Sequence, residues 1–305
     1  IAGAPDMTVT LPMLAALCYG VCHFVNGMLS RRTPGMAIGA LAQIGGSAIV
    51  VLAAPFFPAP HVTAVSLGWG ALSGVGSASL AFLYRGMERG KISVVSPVSE
   101  VTASLLPVVF GLVIGERFGA FGVAGVVLSL LAIWLVSRAR PAGDSGSPSA
   151  GPSAGPGAAP APSATKPRRA IGVGDGLLGG AGVALTWVAL SEVAPAAGLW
   201  PLVVSRLVSL VVMAQMCRSL RVPLRTTPGV LAVASVAGAL GTVATGLYMF
   251  AARIGLVSIA SVITALYPAI PVALAMLILK ERLTGKQLTG LALAAVAVVL
   301  LAQAE

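Results

Sequence analysis

The sequence predicts an all-α integral membrane protein, with ten transmembrane helices arranged as two inverted five-helix repeats. Three observations lead to this prediction: the composition, ten long apolar stretches and an internal repeat. Charged residues make up only 9% of the 305-residue chain, and apolar residues make up 57%. A soluble domain carries about 25% charged residues, because its surface must face water. The composition therefore excludes a soluble globular protein.

A helix must have about 20 mostly apolar residues to cross the hydrocarbon core of a bilayer. The ten stretches that meet this length are 8–29, 36–54, 63–84, 92–114, 119–137, 172–192, 198–217, 228–251, 257–279 and 287–303. Five of them precede a polar segment in the middle of the chain, and five follow it.

The internal repeat relates Gly90–Gly125 to Gly255–Gly290 without a gap, at a constant offset of 165 residues. The identical pairs are Gly90/Gly255, Ser93/Ser258, Ser96/Ser261, Leu112/Leu277, Glu116/Glu281, Arg117/Arg282 and Gly125/Gly290. An odd number of spans in each half means that the second copy enters the bilayer from the opposite side. Inverted repeats of this kind are typical of secondary transporters.

The chain is expected to divide into a first repeat at 1–138, a linker at 139–170 and a second repeat at 171–305. The linker consists mainly of Ala, Gly, Pro and Ser. Too few apolar side chains occur in it to offset the entropy of ordering, so a disordered tether is expected. The alternative is a partner-binding segment, for which only Lys166, Arg168 and Arg169 offer support, and these more simply flank a membrane entry.

The basic residues are distributed unevenly between the two sides of the membrane. Of the 19 Lys and Arg residues, 16 lie in the loops that follow the odd-numbered spans, on the side of the linker. Cytoplasmic loops attract Lys and Arg, so this bias predicts a cytoplasmic linker and external termini. The net charge of +10 is therefore attributed to topology and lipid headgroups rather than to nucleic acid.

The repeated segments carry sequence motifs in both halves. They are Gly90-Lys-Ile-Ser-Val-Val-Ser-Pro with Gly115-Glu116-Arg117, then Gly255-Leu-Val-Ser-Ile-Ala-Ser, Leu266-Tyr267-Pro268 and Glu281-Arg282-Leu-Thr284-Gly-Lys-Gln287 with Gly290. In these motifs the chain resembles the EamA family of the drug/metabolite transporter superfamily. The resemblance implies a multi-pass transporter of small organic metabolites in the plasma or inner membrane, with a cavity between its halves.

Two features depart from that family. The resemblance implies cytoplasmic termini, whereas the distribution of basic residues predicts external ones. Family members often carry an Arg in the second span, whereas this chain has Gln43 there and places Arg206 in span seven.

Glu100 is the first candidate for transport chemistry, because it is a carboxylate within span four. Helical spacing puts it on one face with Ser93, Ser96 or Pro97, Ser104 and Pro107. A carboxylate inside the bilayer usually faces a cavity or a partner. The two hypotheses are coupling to a proton or other cation, and a structural hydrogen bond or ion pair.

Arg206 lies near the middle of span seven. Its guanidinium stays charged at every relevant pH, so it requires an anionic or carbonyl partner. One hypothesis is a clamp on a carboxylate or phosphate of the substrate. The other is a salt bridge to Glu100 or Glu192, or capping of a carbonyl.

Aromatic residues and prolines complete the candidate site. His23, Tyr19, Trp187 and Tyr248 are candidates for lining a cavity from spans one, six and eight, with core packing as the alternative. Pro268 and Pro271 are expected to break or kink span nine next to Tyr267, and Pro97 with Pro107 to give span four a corresponding defect. These four prolines are predicted gating positions.

The Glu-Arg dipeptides, Glu116-Arg117 and Glu281-Arg282, are expected to end helices at the headgroups, with their stems extended toward water. Thr284 and Gln287 form a predicted capping box for span ten.

These residues favour a secondary transporter, with a small-molecule substrate and the lipid bilayer as its partners. It is predicted to be an exporter that works by alternating access and is coupled to a proton or cation. No phosphate-binding Gly-x-x-x-x-Gly-Lys-Ser/Thr loop occurs, and three Cys and two His in no metal-ligand spacing predict neither a metal nor another cofactor. The alternatives are an intramembrane enzyme, for which no cluster of catalytic residues is evident, and a membrane scaffold or receptor.

Overall fold

A computed structural model describes residues 7–30, 33–83, 92–117, 119–138, 168–278 and 285–303. Within these ranges the regular structure is helical. The α-helices are α1 Met7–Leu29, α2 Gly35–Ala53, α3 Ala64–Ala78, α4 Ile92–Val113, α5 Ala120–Arg138, α6 Arg168–Ser191, α7 Trp200–Ser219, α8 Pro228–Ile254, α9 Val257–Thr264, α10 Ala269–Ile278 and α11 Gly285–Leu301. Short 3₁₀ turns occur at Ala54–Phe56 and Pro195–Ala197.

The helices correspond to the ten apolar stretches of the sequence. Six helical segments among the described residues are long and apolar enough to cross a membrane. Four further apolar helices are shorter, and they fall in stretches four, five, nine and ten. Stretch nine consists of two helices, α9 and α10, separated by a turn at 265–268. The chain is therefore a multi-pass membrane protein.

Local sequence sets several helix ends. Thr63 caps α3 by accepting a hydrogen bond from the Ser66 amide at 3.1 Å, and Thr227 caps α8 in the same way. Pro228 then occupies the first position of α8, where no amide hydrogen is needed. α6 begins at Arg168, inside the predicted linker, whose residues 139–167 lie outside the described part of the chain.

Most packing joins a helix of one half to a helix of the other. α1 packs on α8, and α3 packs on α6; α2 also packs on α8, and α3 on α7. Glycines allow close approach in these pairs. A Cβ on Gly238 would overlap the main chain at Ala42, and one on Gly70 would overlap the Pro201 carbonyl. Small residues of this kind let the backbones of membrane helices meet.

α5 and α11 make two equivalent contacts, and corresponding residues of the two contacts are 165 positions apart, the offset of the sequence repeat. Gly125 of α5 lies against Leu301 of α11, and Gly290 of α11 lies against Val136 of α5. Leu301 and Val136 are 165 residues apart, as are Gly290 and Gly125. The start of each helix meets the end of the other, so α5 and α11 run antiparallel.

Candidate functional site

A cavity lies between the two halves, bounded by α1, α2, α3, α6, α7 and the turn that precedes α10. We call it the central cavity, and its volume is about 80 Å³. Its polar wall consists of Gln43, Ser77, Thr186 and Arg206, and its aromatic wall consists of Tyr19, His23, Trp187 and Tyr267. Leu80 and Val183 complete the lining. A site of this size and polarity has room for several waters or a small organic group.

Arg206 of α7 is buried at the wall of this cavity, with 9% of its surface exposed. Its Nη2 donates to the hydroxyl oxygen of Thr245 on α8. That oxygen also lies 2.7 Å from the Tyr19 hydroxyl and donates its own hydrogen to the Gly241 carbonyl at 2.9 Å. Since the Thr245 hydrogen is used there, Tyr19 is the donor, and both lone pairs of the Thr245 oxygen are occupied. The threonine hydroxyl can therefore take no further donor from Arg206.

Arg206 has at least one N–H group that makes no hydrogen bond among the described residues. Its Nε is buried and has no hydrogen-bond partner among the described residues. The salt bridges considered from the sequence are not formed there: Glu100 is bonded to Tyr267, and Glu192 is exposed beyond the end of α6. A buried guanidinium with an unused N–H is costly unless an anion or another acceptor meets it.

Glu100 of α4 lies one side chain behind the cavity wall. The Tyr267 hydroxyl is 2.7 Å from each carboxylate oxygen and donates to that carboxylate. Tyr267 itself lines the cavity, in the turn between α9 and α10. Of the face predicted around Glu100, Ser104 is buried and donates to the Glu100 carbonyl at 2.7 Å. Tyr267 thus links an acid in the first half to a cavity shared by both halves.

The aromatic candidates occupy two layers. His23 stacks on Tyr267, with ring centroids 4.8 Å apart, and Tyr19 lies 6.0 Å from the same tyrosine ring. Trp187 lines the cavity, whereas Tyr248 lies behind it at a centroid distance of 5.5 Å. The Tyr248 hydroxyl is used by the Trp187 carbonyl and the Ser261 hydroxyl, at 3.2 and 3.0 Å. Among the described contacts, Tyr248 supports the wall rather than forming it.

The four prolines are placed differently in the two copies. Pro268 ends the turn that divides stretch nine, and Pro271 lies in the first turn of α10. α4, by contrast, runs as one helix through Pro97 and Pro107. Pro107 is buried there, and the side chain of Pro97 lies outside the described part of the structure. Among the described residues the helix is therefore interrupted in the second copy, at the Tyr267-Pro268 pair, and continuous in the first.

Glu116 makes a contact with the second half that was not predicted from the sequence. Its two carboxylate oxygens accept from the amides of Val257 and Ser258, at 2.5 and 3.0 Å. These are the first two residues of α9, so an acid of the first half caps a helix of the second. A carboxylate is stabilised at a helix N-terminus by the free amides and the helix dipole. Arg117 is exposed. The second dipeptide, Glu281-Arg282, and Thr284 of the predicted capping box lie outside the described residues, as does the side chain of Gln287.

Several residues of the site were not singled out from the sequence. Thr186 and Ser77 are buried polar residues that line the cavity, and Thr245 is the buried partner of Arg206. A search for polar residues within the apolar stretches finds all three, but it also finds many that only bond along their own helix. Their role depends on which neighbours the fold supplies.

Comparisons with known proteins bear on the fold and on the family. The model of the EamA-like transporter family matches residues 171–303, which include α7, α8 and Tyr267. Over these residues the chain is similar to the EamA-like transporter family. None of the curated protein sequences matches the chain.

A crystal structure of a protein has the same fold as the whole chain, including the half that the EamA-like match leaves out. The TM-score is 0.71, with 18% sequence identity, and the alignment covers 96% of this chain and 95% of the other. The fold shared with that structure therefore extends over the first half of the chain as well as the EamA-like part.

Proposed function

We propose that this chain is a secondary transporter that exports small organic metabolites across the plasma or inner membrane by alternating access. One observation carries the proposal: the buried Arg206 at the wall of the central cavity, whose Nε has no partner among the described residues. A cavity between two halves with both polar and aromatic lining residues suits a molecule that must leave water on one side and re-enter it on the other. The EamA-like match supports the same function.

We propose further that the two halves are inverted repeats. The antiparallel contact of α5 with α11, repeated at an offset of 165 residues, supports this arrangement. In a two-fold pair, residue i of one copy contacts residue j of the other, and the reciprocal contact also occurs. Such a pair can rock about the axis between its halves and open the cavity to each side in turn.

The proposed substrate is a small metabolite with a carboxylate or phosphate, such as an amino-acid-like or drug-like compound. Its anionic group would accept from the unused N–H of Arg206, since a guanidinium suits such groups. The rings of Tyr19, His23, Trp187 and Tyr267 would enclose the rest of the molecule. Aromatic rings provide apolar area in defined orientations.

Coupling to a proton is proposed to act through Glu100 and Tyr267. As a carboxylate, Glu100 accepts the Tyr267 hydroxyl. Once protonated, Glu100 can donate instead, and the tyrosine hydroxyl is released to meet a bound substrate. Proton binding and substrate binding would thereby be linked through one side chain of the cavity wall.

The test of the transport function is counterflow in proteoliposomes that contain the purified protein. Liposomes are loaded with one unlabelled metabolite at a time, from a panel of small carboxylates, phosphates and neutral amines, and the uptake of the labelled compound is followed. We expect transient accumulation for at least one anionic compound and none with protein-free liposomes. The absence of counterflow across the panel, with protein shown to be folded and inserted, would count against the proposal.

The test of coupling is Glu100→Gln, which preserves size and hydrogen bonding but cannot titrate. We expect uptake driven by a pH gradient to be lost while counterflow without a gradient continues, because counterflow needs substrate exchange alone. Glu192→Gln is the matched control, since Glu192 is exposed. If gradient-driven uptake by Glu100→Gln equals that of the unmodified protein, Glu100 is not the coupling residue.

A further inference from the structure

A second concave site lies on the side of the molecule, away from the central cavity. We call it the lateral groove, and it runs between α2 of the first half and α7 and α8 of the second. Its volume is about 200 Å³. The floor contains Val50, Leu202 and Gly246, which are buried, and the rim contains Phe57 and Val243, which are exposed.

The lateral groove offers almost no polar group to a ligand. Its one residue with a polar side chain is Thr242, whose hydroxyl is used by the Gly238 carbonyl at 3.1 Å. A cavity of this size with an apolar lining excludes water and accepts apolar guests. Since the rim lies at the outer face of the helices, the guest that reaches it is a hydrocarbon chain of the bilayer.

One end of the groove carries a charge. Phe250 lines the groove, and the guanidinium carbon of Arg253 lies 5.3 Å from the centroid of its ring. Arg253 donates only one long hydrogen bond that the structure describes, to the Gly198 carbonyl at 3.4 Å. Its Nε is buried and has no hydrogen-bond partner among the described residues. An arginine in this state has capacity for a second, anionic partner.

The position of Arg253 fits the level of lipid headgroups. Arg253 lies in the last turn of α8, beside the loop that leads to Trp200 at the start of α7. Tryptophan at a helix end marks the interface between hydrocarbon and headgroups. Arg253 is also an exception on its side of the membrane, where the only other basic residue of the loops is Arg117.

We propose that the lateral groove binds one anionic phospholipid, with an acyl chain in the groove and the phosphate region on Arg253. The apolar lining accounts for the chain, and the guanidinium accounts for the choice of an anionic headgroup. Because α2 belongs to the first half and α7 and α8 to the second, the lipid would lie across the junction of the two halves. This site does not require the transport function proposed above.

The experiment compares lipid retention by native mass spectrometry. Purified full-length protein is exchanged into detergent with equal amounts of phosphatidylglycerol and phosphatidylcholine, and the lipids that remain bound are counted. We expect the unmodified protein to retain phosphatidylglycerol preferentially. A basic residue near the membrane surface corresponds to about a fivefold change in the binding of an anionic lipid, so Arg253→Gln should reduce the preference by about that factor. Arg253→Lys should keep most of it.

Two matched controls separate the groove from general membrane contact. Arg117→Gln removes the other loop arginine of the same side, which is exposed, and should leave the preference unchanged. Gly246→Leu fills the groove and should reduce the retention of both lipids, whereas Gly68→Leu adds the same side chain at an open site on α3 and should not.

The proposal is overturned if Arg253→Gln and Arg117→Gln retain the same lipids in the same ratio. It is equally overturned if Gly246→Leu retains as much lipid as Gly68→Leu. Each variant is first checked for the elution volume and melting temperature of the unmodified protein, and Arg253→Lys provides the charge-preserving comparison if the glutamine variant is unstable.

Discussion

The central cavity and the lateral groove share two lining helices, α2 and α7, yet their chemistry is opposite. On α7, Arg206 meets the cavity and Leu202, about one turn earlier, meets the groove. On α8, Thr245 bonds to Arg206, whereas Val243 and Gly246 face the groove. Residues one turn apart lie on nearly the same face of a helix, so Leu202 and Arg206 place the two sites at different levels along α7. On α8, Thr245 and Gly246 are adjacent positions about 100° apart around the helix, so they meet different neighbours.

This comparison shows where polar groups can be placed in such a protein. Every polar side chain at the cavity is enclosed by other helices, and many are joined across them, as Ser77 is to Thr186 at 3.2 Å. The rim of the groove is exposed at the outer face of the helices, and its single hydroxyl is satisfied within α8. An unpaired polar group costs free energy in either place, but only the cavity can supply a polar ligand as the missing partner.

The largest effect is expected for Arg206→Met, which removes the charge at the cavity and keeps an unbranched side chain of similar length. Loss of one partner from a buried charged contact corresponds to a decrease in substrate exchange on the order of a hundredfold. The exchange rate of Arg206→Lys should lie between those of Arg206→Met and the unmodified protein, because lysine keeps the charge but loses the planar fork of donors. Counterflow of the compound identified in the metabolite panel provides the measurement.

Arg117→Gln is the control for Arg206, because it removes an exposed arginine outside the cavity. It should exchange substrate at the unmodified rate. If a folded Arg206→Met variant exchanges substrate at that same rate, Arg206 does not bind the substrate. The main distinction between the cavity and the groove is then lost.

A smaller effect, on stability, is expected for Thr245→Val. The hydroxyl of Thr245 accepts from Arg206 and Tyr19, so valine would leave two buried donors without their acceptor. The expected decrease in the free energy of unfolding is about 1–3 kcal/mol. Thermal unfolding in detergent, followed by tryptophan fluorescence, measures it as a lower melting temperature.

Thr242 offers the matched substitution, because it lies one turn earlier on the same helix. Its described hydrogen bond is to the Gly238 carbonyl of the same helix, so Thr242→Val leaves no donor of another helix without its acceptor and should lower the free energy of unfolding by less than Thr245→Val does. Equal effects of the two valine substitutions would mean that the hydrogen bonds of Thr245 across the helices contribute nothing measurable.

The sequence was sufficient to predict the helices and the main charged residues of the site. Apolar length alone located the membrane stretches, since the bilayer sets that length. Glu100 and Arg206 stood out because a charge within an apolar run is costly and therefore needs a reason. The physical rule behind both predictions concerns one segment at a time, so it required no knowledge of which helices are neighbours.

What the sequence left open depends on contacts between distant segments. Tyr248 was a candidate for lining the cavity and instead bonds behind it, because periodicity defines a helix face without naming the helix that meets it. Glu116 was expected to end a helix at the headgroups, and its capping of α9, which begins 141 residues later, was not predicted. The lateral groove could not be predicted from the sequence. An apolar helix face has the same residue pattern whether it contacts lipid, packs on a neighbouring helix or lines a groove.

The smallest effect is expected for Gly246→Ala, at the floor of the lateral groove. A Cβ there would lie 3.7 Å from the nearest atom, the Cδ2 of Leu202, which is an ordinary van der Waals contact. Alanine also restricts the unfolded chain more than glycine does, so the free energy of unfolding should rise by about 0.5–1 kcal/mol. The melting temperature should increase slightly.

Gly238→Ala, on the same helix, separates this effect from a general preference for alanine. A Cβ at Gly238 would overlap the carbonyl oxygen of Ala42, so α2 and α8 would have to move apart and the melting temperature should fall. If Gly246→Ala also lowers the melting temperature, the floor of the groove is closely packed, and a groove that is open to a lipid chain is contradicted. Opposite signs for the two alanines would instead locate the close contact of α2 with α8 at Gly238 and the open space at Gly246, two turns further along α8.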